Sequence, residues 1–152
     1  MRSISFSSEL LHLHAIIPSS LANGPGRRYV IWVQGCSKRC PGCFNRELLA
    51  EEGGNTVPVD KLVEEIELLE PELEGVTISG GEPLRQAEAV CSFLERIRSK
   101  TSLSSILFTG LSFEEVVSLS VSERLFRCLD ILVAGPFLYS ERSFSDLRSS
   151  SN

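Results

Sequence analysis

Apolar positions follow two rhythms along this chain. "YVIWVQG" (29–35) is a β-branched and aromatic run ending in glycine, so it reads as a buried strand that delivers Cys36 at its C-terminal end. "GVTISGGEP" (75–83), "SILFTG" (105–110) and "DILVAGPF" (130–137) repeat that form. Between them the period lengthens to that of a helix. Over 57–70, Leu62, Val63, Ile66 and Leu69 share one face, with Pro58 near the first turn. After the second strand, Ala89, Val90, Phe93, Leu94 and Ile97 form another stripe, and 112–129 reads as helical but interrupted.

Strands alternating with helices of this length predict an α/β fold of parallel βαβ units with right-handed crossovers and both faces of the sheet covered. Ligands in such sheets gather at the C-terminal strand ends, where this chain keeps a cysteine cluster, "SGGEP", "TG" and "AGP". With no linker and no repeat, residues 1–152 are expected to form one domain. Trp32 is expected in the core of its strand, and "EEIELLEPELE" is a solvated helix face and turn. "LHLHAI" is strand-like, and its His12 and His14 read as one exposed and one packed residue before they read as metal ligands. "NGPG" (23–26) is at least a tight turn. The tail "SERSFSDLRSSSN" is polar enough to fray unless a ligand or partner orders it.

A net charge of −5 and a pI near 5.1 argue against a general nucleic-acid or anionic-membrane binder, because phosphate binding depends on clustered Lys and Arg. No apolar run approaches the ~20 residues of a transmembrane helix. The N-terminus, its apolar patch broken by the two histidines, reads as part of the domain and not as a signal peptide. Five cysteines are an odd count, and three of them are too crowded for a secreted disulfide framework, so a reducing cytoplasm is the expected compartment.

Those three are Cys36, Cys40 and Cys43 in "GCSKRCPGCFN". Lys38, Arg39, Pro41 and Gly42 make the segment a polar loop, which disfavours buried core thiols. "CPGC" could be half of a structural zinc site, but such a site wants four closed protein ligands, and only His12, His14, Cys91 and Cys128 could supply the fourth from afar. Iron–sulfur clusters are held by Cys thiolates, and three of them leave one iron of a cubane open.

The spacing C-x3-C-x2-C, followed about 40 residues later by Gly-Gly-Glu-Pro after a strand, resembles the radical S-adenosylmethionine (SAM) enzymes. "Gly-Gly-x-Pro" alone is a common strand-to-helix turn; in that order after the cysteines it carries more. "NGPGRRYVIWVQGCSKRCPGCFN" (23–45) is similar to the activating proteins of anaerobic ribonucleotide reductases, with Arg28 at the family's Arg position, and the likeness continues through "SGGEPL", "FTG" and "LVAGPF". The resemblance implies a partial, incomplete parallel β/α barrel with few βα units. It implies a 4Fe-4S cluster on Cys36, Cys40 and Cys43, and SAM bound on the open iron with Gly42, Phe44, Gly80, Gly81 and Glu82 around it, Glu82 accepting from its ammonium. A flavodoxin- or ferredoxin-type donor would supply the electron, and a glycyl-radical protein resembling anaerobic ribonucleotide reductase would receive the radical. It would also aim "NGPG" at the partner or the SAM site. No acid or base pair is nominated, since cluster and SAM carry the chemistry. Other targets of the same chemistry, namely another glycyl-radical enzyme, a peptide or a small molecule, stay open, as does a non-enzymatic electron-transfer module. The sequence departs from the family pattern at Gly42, where an aromatic residue is usual, at Ala134, where many relatives carry Asp, and at "LRSSSN", beyond which relatives usually continue.

Overall fold

The computed structural model describes residues 9–143, 147, 148 and 150. Six strands make one mixed sheet: β1 (Leu10–Ser20), β2 (Arg28–Val33), β3 (Asn55–Pro58), β4 (Gly75–Gly80), β5 (Ser104–Thr109) and β6 (Ile131–Ala134). Their spatial order is β3-β1-β2-β4-β5-β6. β2, β4, β5 and β6 run parallel, as the βαβ pattern predicts, whereas β1 is antiparallel to both of its neighbours. The helices are α1 (Val59–Leu69), α2 (Ala87–Lys100), α3 (Phe113–Val117) and α4 (Ser122–Cys128), the last two being the interrupted helix of 112–129.

β3 occupies residues that the helical stripe had claimed. Pro58 adopts φ −62° and ψ 135°, and a residue before proline is driven away from helical geometry, so Val57 stays extended and α1 starts at Val59. α3 starts cleanly for the opposite reason: Ser112 and Glu115 form a reciprocal capping box over its first turn.

From β2 through β4 and β5 to β6, every crossover steps in the same direction across the sheet. Right-handed crossovers of that kind put their helices on one face. A single buried cluster accordingly joins Leu11, Leu13, Tyr29, Ile31, Val33, Val76, Ile78 and Leu107 of the strands to Leu62, Ile66, Phe93, Leu94, Ile97, Val116 and Leu125 of the helices. Alternate strand residues point the other way. Helices therefore cover one face only, because a sheet wound in one direction sends none to its second face, and the expected covering of that face has to come from elsewhere. Trp32 belongs to that second face and is only partly buried, so it is not a residue of the helix-packed core.

Something else closes the second face at the start of the strands. The β1–β2 loop folds over it, with the Asn23 carbonyl accepting from Thr77 Oγ1 at 2.9 Å. Gly24, at φ 129°, lies so close to Ile106 and Arg28 that a Cβ there would sit 2.6 Å from the Ile106 Cδ1. Arg28 itself is 1% exposed and uses its guanidinium as a latch. It donates to Thr77 Oγ1, the Pro25 carbonyl, the Ser104 hydroxyl and carbonyl, and the Val76 carbonyl at 2.8–3.0 Å. Burial pulls its pKa below the usual arginine value, and the charges of Asp130 and Glu74 pull it back up. No helix among the described residues is long and apolar enough to cross a membrane.

Candidate active site

At the opposite ends of the same strands the second face is open, and a cavity of about 360 Å³ lies there. Its walls are the C-terminal ends of all three strands that the glycine turns mark: Ser79 to Glu82 after β4, Phe108 to Gly110 at β5, and Leu132 to Phe137 at β6. The loop after β2 supplies Cys36, Lys38, Cys40, Cys43, Phe44 and Asn45. This is the strand-end location that the sequence pattern predicts. The floor is set by register. Thr77 and Ile106 carry the latched loop, and the next residues on that face, Ser79 and Phe108, line the cavity.

The cysteine segment is ordered by its own turn. Cys43 N–H donates to the Cys40 carbonyl at 3.0 Å, with Pro41 and Gly42 between them and Gly42 at φ 73°, the arrangement of a type II turn. Gly42 thus spaces Cys40 from Cys43. It does not line the cavity, and a Cβ on it would strike the ring of Tyr139. The Asn45 N–H points at the Cys43 sulfur, 3.4 Å away. Phe44 lines the cavity and packs on Phe137 with ring centroids 5.0 Å apart.

Around Gly81 the packing leaves no room for a side chain. Its N–H donates to the Val33 carbonyl at 2.9 Å, and a Cβ would collide with the Gly35 carbonyl and lie 2.9 Å from that of Leu48. The Gly-Gly-Glu turn therefore rests directly on the strand end that leads to Cys36. Glu82, 2% exposed, holds this turn: its carboxylate accepts from Leu84 N–H at 3.0 Å, Thr109 Oγ1 at 2.7 Å and Gly110 N–H at 2.7 Å. Arg85 pairs with Glu51 and so ties the start of the following helical turn to the loop beyond the cysteines, while the same contact holds the Glu51 carboxyl below the usual range. Lys38 reaches Glu115 at 3.4 Å across the rim.

Seven of the eight site residues expected from sequence meet at this cavity, and Gly42 supports it from outside. Thr109 and Gly110, the "TG" strand end marked in the sequence, line the cavity; two further signals went unread, Lys38 between the cysteines and Arg148 and Ser150 in the polar tail, which also line it. Ser150 accepts from Leu138 N–H at 3.1 Å, which brings that part of the tail against the site, while residues 144–146, 149, 151 and 152 lie outside the described residues. Ala134 also lines the cavity, so the position where the resemblance led to the expectation of a carboxylate is in the wall. "NGPG" lies at the other end of the strands from the cavity, against the implication that it faces SAM. His14 contacts Gln34 Oε1 at 3.0 Å and is exposed, His12 is half-buried, and neither lines the cavity.

The donor set suits an iron–sulfur cluster. All five cysteines are free; Cys36, Cys40 and Cys43 share one cavity, whereas Cys91 is 1% exposed in the helical core and Cys128 faces away from the cavity lining. Among the described residues no three His, Cys, Asp or Glu side chains converge on one metal ion. A cubane does not ask for that, since each thiolate takes a different iron.

A family described as a 4Fe-4S single cluster domain matches residues 22–152, and the chain belongs to that family. With the thiols and the glycine turn in one cavity, the chain is a radical SAM enzyme, whose cofactors are a 4Fe-4S cluster and SAM. It is 27% identical to the anaerobic ribonucleoside-triphosphate reductase-activating protein of Vibrio cholerae serotype O1 over 86% of this chain and 87% of that one. It is 41% identical to the pyruvate formate-lyase-activating enzyme of Staphylococcus epidermidis, over 57% of this chain and 35% of that one. Among solved structures, QueE from Escherichia coli aligns with a TM-score of 0.46 at 17% identity, covering 66% of this chain and 52% of that one.

Proposed function

We propose that this protein is a glycyl-radical activase, one domain over residues 1–152, whose partner is an anaerobic ribonucleotide reductase. The carrying observation is that three thiols and the backbone of a Gly-Gly-Glu turn line one cavity at the C-terminal ends of parallel strands. When bound, the cluster and SAM would supply one-electron reductive chemistry capable of removing an α-hydrogen atom from a glycine of the partner.

The chain's own residues hold and shield. Cys36, Cys40 and Cys43 would ligate three irons, and the type II turn at Gly42 fixes the spacing of the last two. Gly80 and Gly81 would let SAM approach the backbone, with Phe44 and Phe137 closing one rim against water. The single direction of winding supports a partial β/α barrel whose interior is this second face. A flavodoxin- or ferredoxin-type protein would deliver the electron, and the cytoplasm is the compartment such carriers and free thiols suit. The acidic net charge speaks for a protein partner and against nucleic acid or a membrane surface.

A second partner has its own support. The 41% identity to a pyruvate formate-lyase-activating enzyme covers 57% of this chain, so a formate-lyase type of glycyl-radical enzyme is the other target. The test mixes reduced, reconstituted protein with SAM and each purified partner and looks for a glycyl doublet by paramagnetic resonance. The doublet should grow with the reductase, vanish on Gly→Ala in that partner, and be lost with Gly81→Val in this chain. Coupled product formation from a small metabolite, with no protein partner, would overturn the activase reading.

A further inference from the structure

Glu82 is the buried carboxylate of the cavity, and the motif reading assigns it to the SAM ammonium. Its surroundings say otherwise. A carboxylate has about four lone-pair sites. Oε1 already accepts from Leu84 N–H at 3.0 Å and Thr109 Oγ1 at 2.7 Å, and Oε2 from Gly110 N–H at 2.7 Å. Three of the four sites are therefore taken, and one remains on Oε2. The three donors come from two different strand ends. Leu84 follows β4, and Thr109 and Gly110 close β5.

We infer that Glu82 is a positioning residue, a clamp that fixes the β5 end against the Gly-Gly turn, and that it acts on SAM through Thr109 and Gly110 instead of by contact with the ammonium. This rests on the cavity being the SAM site. The physical logic is preorganisation. Gly80, Gly81, Thr109 and Gly110 all line the cavity, two strand ends meet there with little side-chain packing, and charge-assisted hydrogen bonds to one buried carboxylate set their spacing. Thr109 extends the clamp, since its Oγ1 also accepts from Leu111 N–H at 3.1 Å and so fixes the turn beyond β5.

Two readouts test it. The first needs no cofactor: in the apoprotein, Glu82→Gln should speed amide hydrogen exchange at Gly110 by about tenfold or more, because its acceptor is replaced by a weaker one. The second compares SAM with an analogue lacking the amino group, by titration of the reduced cluster. Glu82→Gln should weaken both by about the same factor, on the order of tenfold. Thr109→Val should reproduce part of the loss for both ligands and combine with Glu82→Gln less than additively. If the loss appears with SAM and disappears with the amino-free analogue, Glu82 touches the ammonium and the inference is wrong. Unchanged exchange at Gly110 also overturns it. Should Glu82→Gln fail to fold, Thr109→Val carries the comparison alone, and there equal losses support the clamp while no loss refutes it. Wild-type protein that shows the clamp in exchange but no response to SAM would instead sink the assignment of the cavity.

Discussion

Replacing Arg28 tests the floor of the cavity, because a single side chain latches the loop that makes it. All five guanidinium N–H groups are used, on Thr77 Oγ1, Pro25 O, Ser104 Oγ, Ser104 O and Val76 O. Lysine brings three donors to those acceptors, so two are left without a partner in a site that is 1% exposed. At about 1 to 3 kcal/mol for each stranded buried group, Arg28→Lys should cost about 2 to 6 kcal/mol. For a chain of this size that is a fall in Tm of roughly 4 to 24 °C. Arg28→Met strands all five and releases the loop, and it should cost more. The assay is thermal unfolding of the apoprotein followed by circular dichroism, with exchange at Asn23 and Gly24 reporting the loop. Methionine could instead win, because removing a charge that has no carboxylate against it also removes a desolvation penalty. A methionine variant as stable as wild type, or more stable than the lysine one, would refute the claim that this network holds the loop.

Two further predictions concern the cysteines. Cys36→Ala, Cys40→Ala and Cys43→Ala should each abolish uptake of four irons and four sulfides on anaerobic reconstitution, while Cys91→Ala and Cys128→Ala keep it; iron and sulfide analysis decides, and the reverse pattern would displace the assignment. Burial pushes the Cys91 thiol up to about 11 from a usual value near 9. Above pH 9 the unfolded chain loses that proton first, so stability is complete below about pH 9 and declines as pH rises through about 11, by at most about 1.4 kcal/mol per unit. Urea midpoints should fall over that window, and Cys91→Ala should flatten part of the slope; an unchanged slope would mean the thiol is not the source.

Much of the fold was legible because its buried parallel strands have no polar alternation and end on glycine. Val33, Gly80, Thr109 and Ala134 mark the strand ends that the apolar runs imply. The helical stripes fared as well: Leu62, Val63, Ile66, Val90, Phe93, Leu94 and Ile97 are all buried. β3 was not legible, since four residues ending in Pro58 carry no period, and only pairing with β1 makes them a strand. The covering of the second face was hidden for a different reason. Periodicity says how many faces are apolar but not what lies on them, and here Ile106 is buried with a glycine turn and its latching arginine over that face. In the site, the cysteines and Gly-Gly-Glu were readable as chemistry. The "TG" strand end was readable as a place, but the bonds of Thr109 and Gly110 to Glu82, and the part of Arg148, were not, because distance to Glu82 or to the cavity is not encoded by spacing along the chain.

The two margins of the sheet differ in what they permit. β3 ends in Pro58, which has no N–H to offer a further strand, and it is only four residues long. β6 is Ile131 to Ala134, without a charge or a proline, and among the described residues it pairs only with β5. The architecture thus has a growing end and a finished end. A strand added past β6 would lie beside the Leu132–Phe137 wall of the cavity, so an extension or a partner strand docked on this margin would reach the site from its open side, three strands from β2.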